Sequence, residues 1–76
     1  MYTIYTKKKC KWCDEVKKLL PEATYIEPEL NDAFFKKMDP KTNGYRMFPM
    51  VFFEKEFVGG YKETKARLFK IEGEEF

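Results

Sequence analysis

Two thiols three positions apart carry the chemistry this sequence can do. Cys10 and Cys13 are the only cysteines in 76 residues, and the chain has no histidine. Thiol–disulfide exchange needs a thiolate, so a protein performing it must bring a thiol pKa down from about 8.5 toward neutrality while the sulfur stays accessible. A cysteine at a helix N-terminus gains that stabilisation, because unpaired backbone N–H groups point at its sulfur and the helix end carries roughly half a positive charge. Lys7, Lys8, Lys9 and Lys11 add four cations in the same loop. A second cysteine about one helical turn on can attack a mixed disulfide at the first and release the reduced substrate. The spacing makes Cys10 the nucleophile and Cys13 the resolving thiol. Two other uses stand beside this one. The pair could be inert or a staple, although closing so short a loop adds little stability. It could also supply half of a metal or iron–sulfur site completed by a second chain, which would make the protein a non-catalytic carrier.

What is missing narrows the chemistry further. A structural zinc site takes four Cys or His ligands, which this chain cannot supply alone. Histidine-based acid–base and nucleophile pairs are absent as well. Fifteen Lys+Arg against thirteen Asp+Glu leave a net charge of +2, too even for a dedicated nucleic-acid binder, and the basic cluster is one loop rather than an extended stripe. The charge is uneven locally: six lysines against two acids in residues 1–20, two lysines against five acids in residues 21–40. Positive charge therefore gathers where a thiolate would form. The start MYTIYTKKKC lacks the apolar stretch of roughly 7–15 residues that a secretory signal carries. The chain reads as soluble and cytoplasmic, without a membrane partner. In a reducing cytosol a lone Cys-x-x-Cys is more often catalytic or metal-binding than a staple.

The elements that must position these thiols follow from apolar spacing within one small domain, residues 1–76. Uncharged, β-branched and aromatic Met1–Tyr5 suits an inner strand buried on both faces. Trp12, Val16, Leu19 and Leu20 recur at helical spacing up to Pro21, which starts a helix near Cys10 to Cys13. Ala23–Ile26 is a second strand ended by Pro28. Leu30, Phe34 and Met38 mark a second helix, expected to end at Asp39-Pro40. After the turn Lys41–Gly44, Phe48–Phe53 reads as a strand entered through Pro49. Glu56–Val58 follows across the two-residue turn Glu54-Lys55, although Glu-Lys lacks the Asn-Gly or Asp-Gly that tight hairpins prefer. Gly59-Gly60 breaks that strand. Tyr61, Thr64, Leu68 and Ile71 argue for a last helix before the acidic tail Glu72–Phe76.

The order β-α-β-α-β-β-α predicts an α/β fold with a mixed four-stranded sheet, its first two strands parallel through a right-handed crossover. A Cys-x-x-Cys between first strand and first helix reads there as a thioredoxin-like redox motif. Around it, Trp12 is either folded on the core or an exposed platform for substrate, and the openness Cys10 needs favours exposure. A cis Phe48-Pro49 bond would turn the Phe48 backbone outward to pair with an extended thiol substrate, whereas a trans proline is the ordinary reading of a strand start. Gly59-Gly60 either caps a strand or lets a ligand carboxylate approach backbone N–H groups.

These residues together resemble the glutaredoxin family over most of the chain. The anchors are Tyr5-Thr6-Lys7 ahead of Cys10-Lys11-Trp12-Cys13, then Phe48-Pro49-Met50-Val51-Phe52, then Val58-Gly59-Gly60. The segment KCKWCDEVKKLL looks like small phage-type members, with an aromatic residue before the second cysteine. The resemblance implies a thioredoxin fold with a cis Pro49 and a dithiol oxidoreductase reduced by glutathione, with no bound cofactor. It also implies a glutathione groove formed by Lys7, Cys10, Trp12, Phe48, Pro49, Gly59, Gly60 and Tyr61. Ribonucleotide reductase is the client it suggests. Three positions depart from the family pattern. Met47 replaces a threonine, Lys11 a proline, and Lys62 an aspartate that helps hold the ammonium of glutathione. A lysine there would repel that group, and Glu63 could substitute from the next position. Gly44–Pro49 and Gly60-Tyr61-Lys62 look more like the short redoxins that donate to class Ib ribonucleotide reductase and are recharged by thioredoxin reductase.

Overall fold

Strand β1 (Tyr2–Tyr5) lies inside a four-stranded sheet of order β2-β1-β3-β4 in the computed structural model, which describes residues 1–73 and the side chains of residues 1–69. It runs parallel to β2 (Thr24–Ile26) and antiparallel to β3 (Met50–Phe53). β3 in turn pairs antiparallel with β4 (Glu56–Gly59). The period-two alternation of strands divides the apolar residues between two cores. Tyr2, Ile4, Val51 and Val58 pack with Val16 and Leu20 of the first helical segment and with Tyr61. Tyr5, Met50, Phe52 and Phe57 pack on the other side with Phe34, Phe35 and Met38. Helices α1 (Lys11–Leu19) and α3 (Tyr61–Gly73) thus cover one face and α2 (Asp32–Thr42) the other. The inner strand, the parallel first pair and the sheet flanked by three helices match the expected order. Among the described residues no helix is long and apolar enough to cross a membrane.

Helix α1 is amphipathic, with Cys13 and Val16 buried, and its end is closed by the strand that follows. The Tyr25 hydroxyl donates to the Leu20 carbonyl at 2.5 Å and lies 3.4 Å from that of Val16. Both carbonyls also accept a backbone N–H, Val16 from Leu20 at 2.9 Å and Leu20 from Ala23 at 3.2 Å, so the hydroxyl adds a further donor at the helix end. Burial pushes the Tyr25 hydroxyl pKa up, which keeps it a donor. Tyr25→Phe should cost about 1 kcal/mol, the net worth of such a bond. Urea unfolding would measure it as a lower midpoint at unchanged slope.

Helix α2 differs from expectation at both ends. It starts at Asp32, capped by the Asn31 side chain, which accepts the Phe34 N–H at 2.9 Å, and so leaves Leu30 outside and exposed. It also continues through Pro40 to Thr42. Proline removes one backbone donor, yet the last turn is held by other groups. Asn43 takes the left-handed conformation (φ 58°) and donates to the Asp39 carbonyl, as Gly44 does at 3.1 Å. The Thr42 hydroxyl lies 3.1 Å from the Met38 carbonyl and 3.2 Å from that of Tyr45. Arg46 then grips Asp39 with two contacts, at 3.2 and 2.6 Å.

That exposed ion pair makes a pH prediction. The hydrogen bond from Arg46 holds the Asp39 carboxyl below its ordinary value of about 3.8. A depressed carboxylate contributes stability above its unfolded-state pKa and loses it as pH falls through the folded value. Arg46→Ala should therefore destabilise the protein at pH 7, weakly and less so in high salt, and the difference from wild type should vanish near pH 2. Denaturation midpoints of both proteins at the two pH values would check it.

The remaining boundaries move by one or two residues. β3 begins at Met50 rather than Phe48, because Pro49 lacks an N–H for the ladder. The Glu54-Lys55 hairpin forms with Glu54 at φ 57°, tied down by its N–H to the Met1 carbonyl and its carboxylate to the N-terminal ammonium. On β4, Val51 pairs with Gly59 but Phe52 with Phe57, so Val58 is an extra residue. Helix α3 takes in Glu72 and Gly73, which the sequence reading placed in a tail. The Ile71 side chain and residues 74–76 lie outside the described residues.

Candidate active site

The loop after β1 sets the dithiol at the start of α1. Thr6 is buried and donates its N–H to the Ile26 carbonyl at 2.8 Å, which ends the strand pairing. Lys9, at φ 55°, turns the backbone so that Cys10 becomes the N-cap of α1. Cys10 has extended geometry there (φ −114°, ψ 104°), and its sulfur accepts the Cys13 N–H at 3.1 Å. The two sulfurs are joined in a disulfide, with the Cα atoms 5.2 Å apart.

The partners are not equivalent. Cys13 is 1% exposed, sealed within the helix, whereas Cys10 is 8% exposed at its tip. Once the disulfide is reduced, the Cys13 N–H and the helix end favour charge on Cys10. Lys7, Lys8, Lys9 and Lys11 are all exposed around it. Both residues are buried in the disulfide form, but the thiolate is favoured on the less covered Cys10, with the second thiol held one turn behind.

Beside the dithiol runs a mostly apolar groove of about 720 Å³ that brings together Trp12, Phe48, Pro49 and Tyr61. Trp12 is half exposed and its ring centre lies 5.1 Å from that of Tyr61. The exposure expected for Trp12 is observed. The Phe48-Pro49 bond is cis, as the family resemblance implied. Phe48 stacks on Phe34 at 6.3 Å, and Lys7 lies over the Phe48 ring at 5.9 Å, outside the groove lining.

Gly59 and Gly60 are buried at the junction of β4 with α3, and Gly60 is not free to serve a ligand carboxylate. Its N–H donates to the Glu63 carboxylate at 2.9 Å, while the Thr64 N–H bonds the Gly60 carbonyl at 3.0 Å. Glu63 is thus the reaching half of a capping box at the start of α3. A side chain on Gly60 would run into the Tyr45 hydroxyl. Burial and the neighbouring Glu63 charge push the Tyr45 pKa up, so its hydroxyl stays protonated.

Sequence reasoning missed Tyr45 as part of the groove and Glu63 as a cap. The three-residue Gly60–Glu63 spacing signals the cap; nothing local signals Tyr45. Lys62 and Met47 line the same groove. Among the described residues no three His, Cys, Asp or Glu side chains converge as a metal site.

The glutaredoxin family model matches residues 2–58. No match is found among curated protein sequences. Solved structures place the fold among glutaredoxins. Glutaredoxin 1 of Francisella tularensis, complexed with cacodylate, is 28% identical with a TM-score of 0.73 over 92% of this chain and 93% of that one. Oxidized glutaredoxin 2 from Chlamydomonas reinhardtii is 28% identical with a TM-score of 0.75 over 97% and 76%. A buckwheat glutaredoxin–glutathione complex is 25% identical with a TM-score of 0.73 over 90% and 68%. The sheet order, the three helices and the redox-active Cys10–Cys13 pair agree with that placement, and the family model covers most of the chain: this protein belongs to the glutaredoxin family and is a thiol–disulfide oxidoreductase.

Proposed function

We propose that the protein is a dithiol reductant of protein disulfides that glutathione recharges. In the proposed cycle the Cys10 thiolate attacks one sulfur of a client disulfide and displaces the other as a thiolate. Cys13, once deprotonated, attacks the Cys10 sulfur and releases the reduced client, and the two electrons end in the client's thiols while Cys10–Cys13 becomes oxidised. Two glutathione molecules then return the pair to dithiols and leave as glutathione disulfide. The observation that carries the assignment of roles is the asymmetry between Cys10, the N-cap of α1 and the less covered of the two, and a sealed Cys13. Trp12, Phe48, Pro49 and Tyr61 beside it offer a groove for the tripeptide, and a similar protein forms a glutathione complex. Lys7, over the Phe48 ring, is the cation the resemblance assigns to a glutathione carboxylate. Ribonucleotide reductase is the client class the resemblance suggests.

A specific observation favours a second electron source, thioredoxin reductase. Lys62 lines the groove and the Gly60 N–H is already bonded to Glu63, both adverse to the γ-glutamyl end of glutathione. The test is reduction of a small glutathione mixed disulfide coupled to NADPH, once through glutathione and glutathione reductase and once through thioredoxin reductase alone. Turnover in the first arm supports the glutathione cycle; turnover in the second alone replaces it with a thioredoxin-system cycle.

A further inference from the structure

The groove does not stop at the dithiol. Tyr61, Lys65 and Phe69 recur at i, i+4 and i+8 and so share one stripe of α3. Lys65 lies over both rings, at 5.9 Å and 5.5 Å. Phe69 is 52% exposed and Met47 68%, and both line the groove that begins at the half-exposed Trp12. Core packing does not account for large apolar side chains left open together on one groove. The charges on it also lean positive. Lys62 and Lys65 line it and Lys11 lies over Trp12 at 5.3 Å, against the single carboxylate of Glu63, which accepts the Gly60 N–H, so the balance is positive. From Tyr61 to Phe69 the helix rises about 12 Å, room for about four residues of extended chain. That stretch lies beyond the Trp12–Tyr61 end proposed for glutathione.

We infer that this groove docks an extended acidic segment with an aromatic or aliphatic anchor, belonging to the protein whose disulfide Cys10 attacks. The inference rests on the disulfide-reduction reading above and names its partner class. Phe69 and Tyr61 receive the anchor, Lys62 and Lys65 the carboxylates, and the client's cysteine falls next to Cys10 at the Trp12 end. Charge complementarity speeds encounter and selects among clients, and the apolar stripe holds them.

Trp12 is the only tryptophan, so its fluorescence reports the groove. The probe is a twelve-residue peptide rich in Asp and Glu with one Phe, with serine in place of its cysteine. Its counterpart has lysines for the acids. The acidic peptide should bind roughly tenfold more tightly at low salt, an advantage that shrinks as salt rises. Lys65→Glu and Phe69→Ser should each weaken it about fivefold or more while turnover of a small disulfide stays unchanged. Equal binding of the two peptides, or no loss in either variant, overturns the inference. Self-association at high concentration that Phe69→Ser abolishes also overturns it, giving the groove to a second copy. Cysteine-containing versions keep the two readings apart. Docking without turnover of any disulfide refutes the exchange reading alone; turnover of the small disulfide without peptide preference refutes the docking alone.

Discussion

Replacing Cys10 by serine should reduce disulfide exchange to the uncatalysed background, whereas Cys13→Ser should keep reduction of glutathione mixed disulfides and lose dithiol reduction of protein disulfides. Cys10 is the N-cap of α1, accepts the Cys13 N–H and is the more exposed of the pair, so an attacking thiolate is favoured there. A serine hydroxyl at that position is essentially never ionised near neutral pH and leaves no nucleophile. Removing the Cys13 sulfur leaves Cys10 able to form and pass on a mixed disulfide with glutathione, because a second glutathione can act as the resolving thiol. The coupled NADPH assay reads both variants. Dithiol activity retained in the Cys10→Ser protein would reverse the two roles.

The same electrostatics set the order of alkylation in the reduced wild type. Iodoacetamide reacts with thiolate, so Cys10 should be modified well below pH 8 and Cys13 at least about tenfold more slowly. Burial of Cys13 within α1 reinforces the difference, since the reagent must reach the sulfur. Mass spectrometry of time points at pH 6.5 would resolve the two sites. Equal and slow modification of both would remove the activated-thiolate account while leaving the fold untouched.

What could be read from the sequence is what local spacing encodes. The uncharged run Tyr2–Tyr5 announces an inner strand, and Val16, Leu20 and Pro21 announce a helix that stops where α1 stops. The dithiol is legible for the same reason: both cysteines and the helix start that activates one of them lie within about one turn. The end of α2 is not legible. Pro40 argues locally for a stop, and the groups that carry the helix past it, Asn43 in a left-handed conformation and Thr42 bonded across to Tyr45, act together only once the chain has folded. The groove shows the same limit. The spacing of Tyr61, Thr64 and Leu68 marks the inward face of α3, and Thr64 is indeed fully buried. Tyr61, Lys65 and Phe69 form an equally regular stripe, yet no periodicity tells that it borders Trp12 from another helix. Tyr45 meets Gly60 across fifteen positions of chain, a contact no short-range pattern contains.

Gly59→Ala should be far more damaging than Gly44→Ala, and the reason couples the sheet to the site. Gly59 follows the extra residue Val58 and has φ 133°, where L side chains are rarely found. That conformation alone costs about 1–3 kcal/mol for a residue with a side chain. Space is also lacking: a Cβ would lie 2.7 Å from Glu63 Cβ and 2.8 Å from its Cγ. Glu63 cannot simply swing away, because its carboxylate holds the Gly60 N–H. Gly44 provides the internal control, with φ 81° and nothing within 4 Å of an added Cβ. There the strain of about 1–2 kcal/mol is partly offset by the smaller freedom of alanine in the unfolded chain. Gly59→Ala should therefore lie below Gly44→Ala by about 2 kcal/mol or more, roughly 8–16 °C in Tm for a domain of this size. Adding Glu63→Ala should not rescue it, since the obstructing Cβ remains and is fixed by the backbone of α3. Recovery in that double variant would mean that the long side chain, rather than the approach of α3 to β4, excludes a Cβ at position 59. Equal melting of the two glycine variants would show that the junction yields freely, and with it the edge of the groove that Tyr61 and Glu63 form.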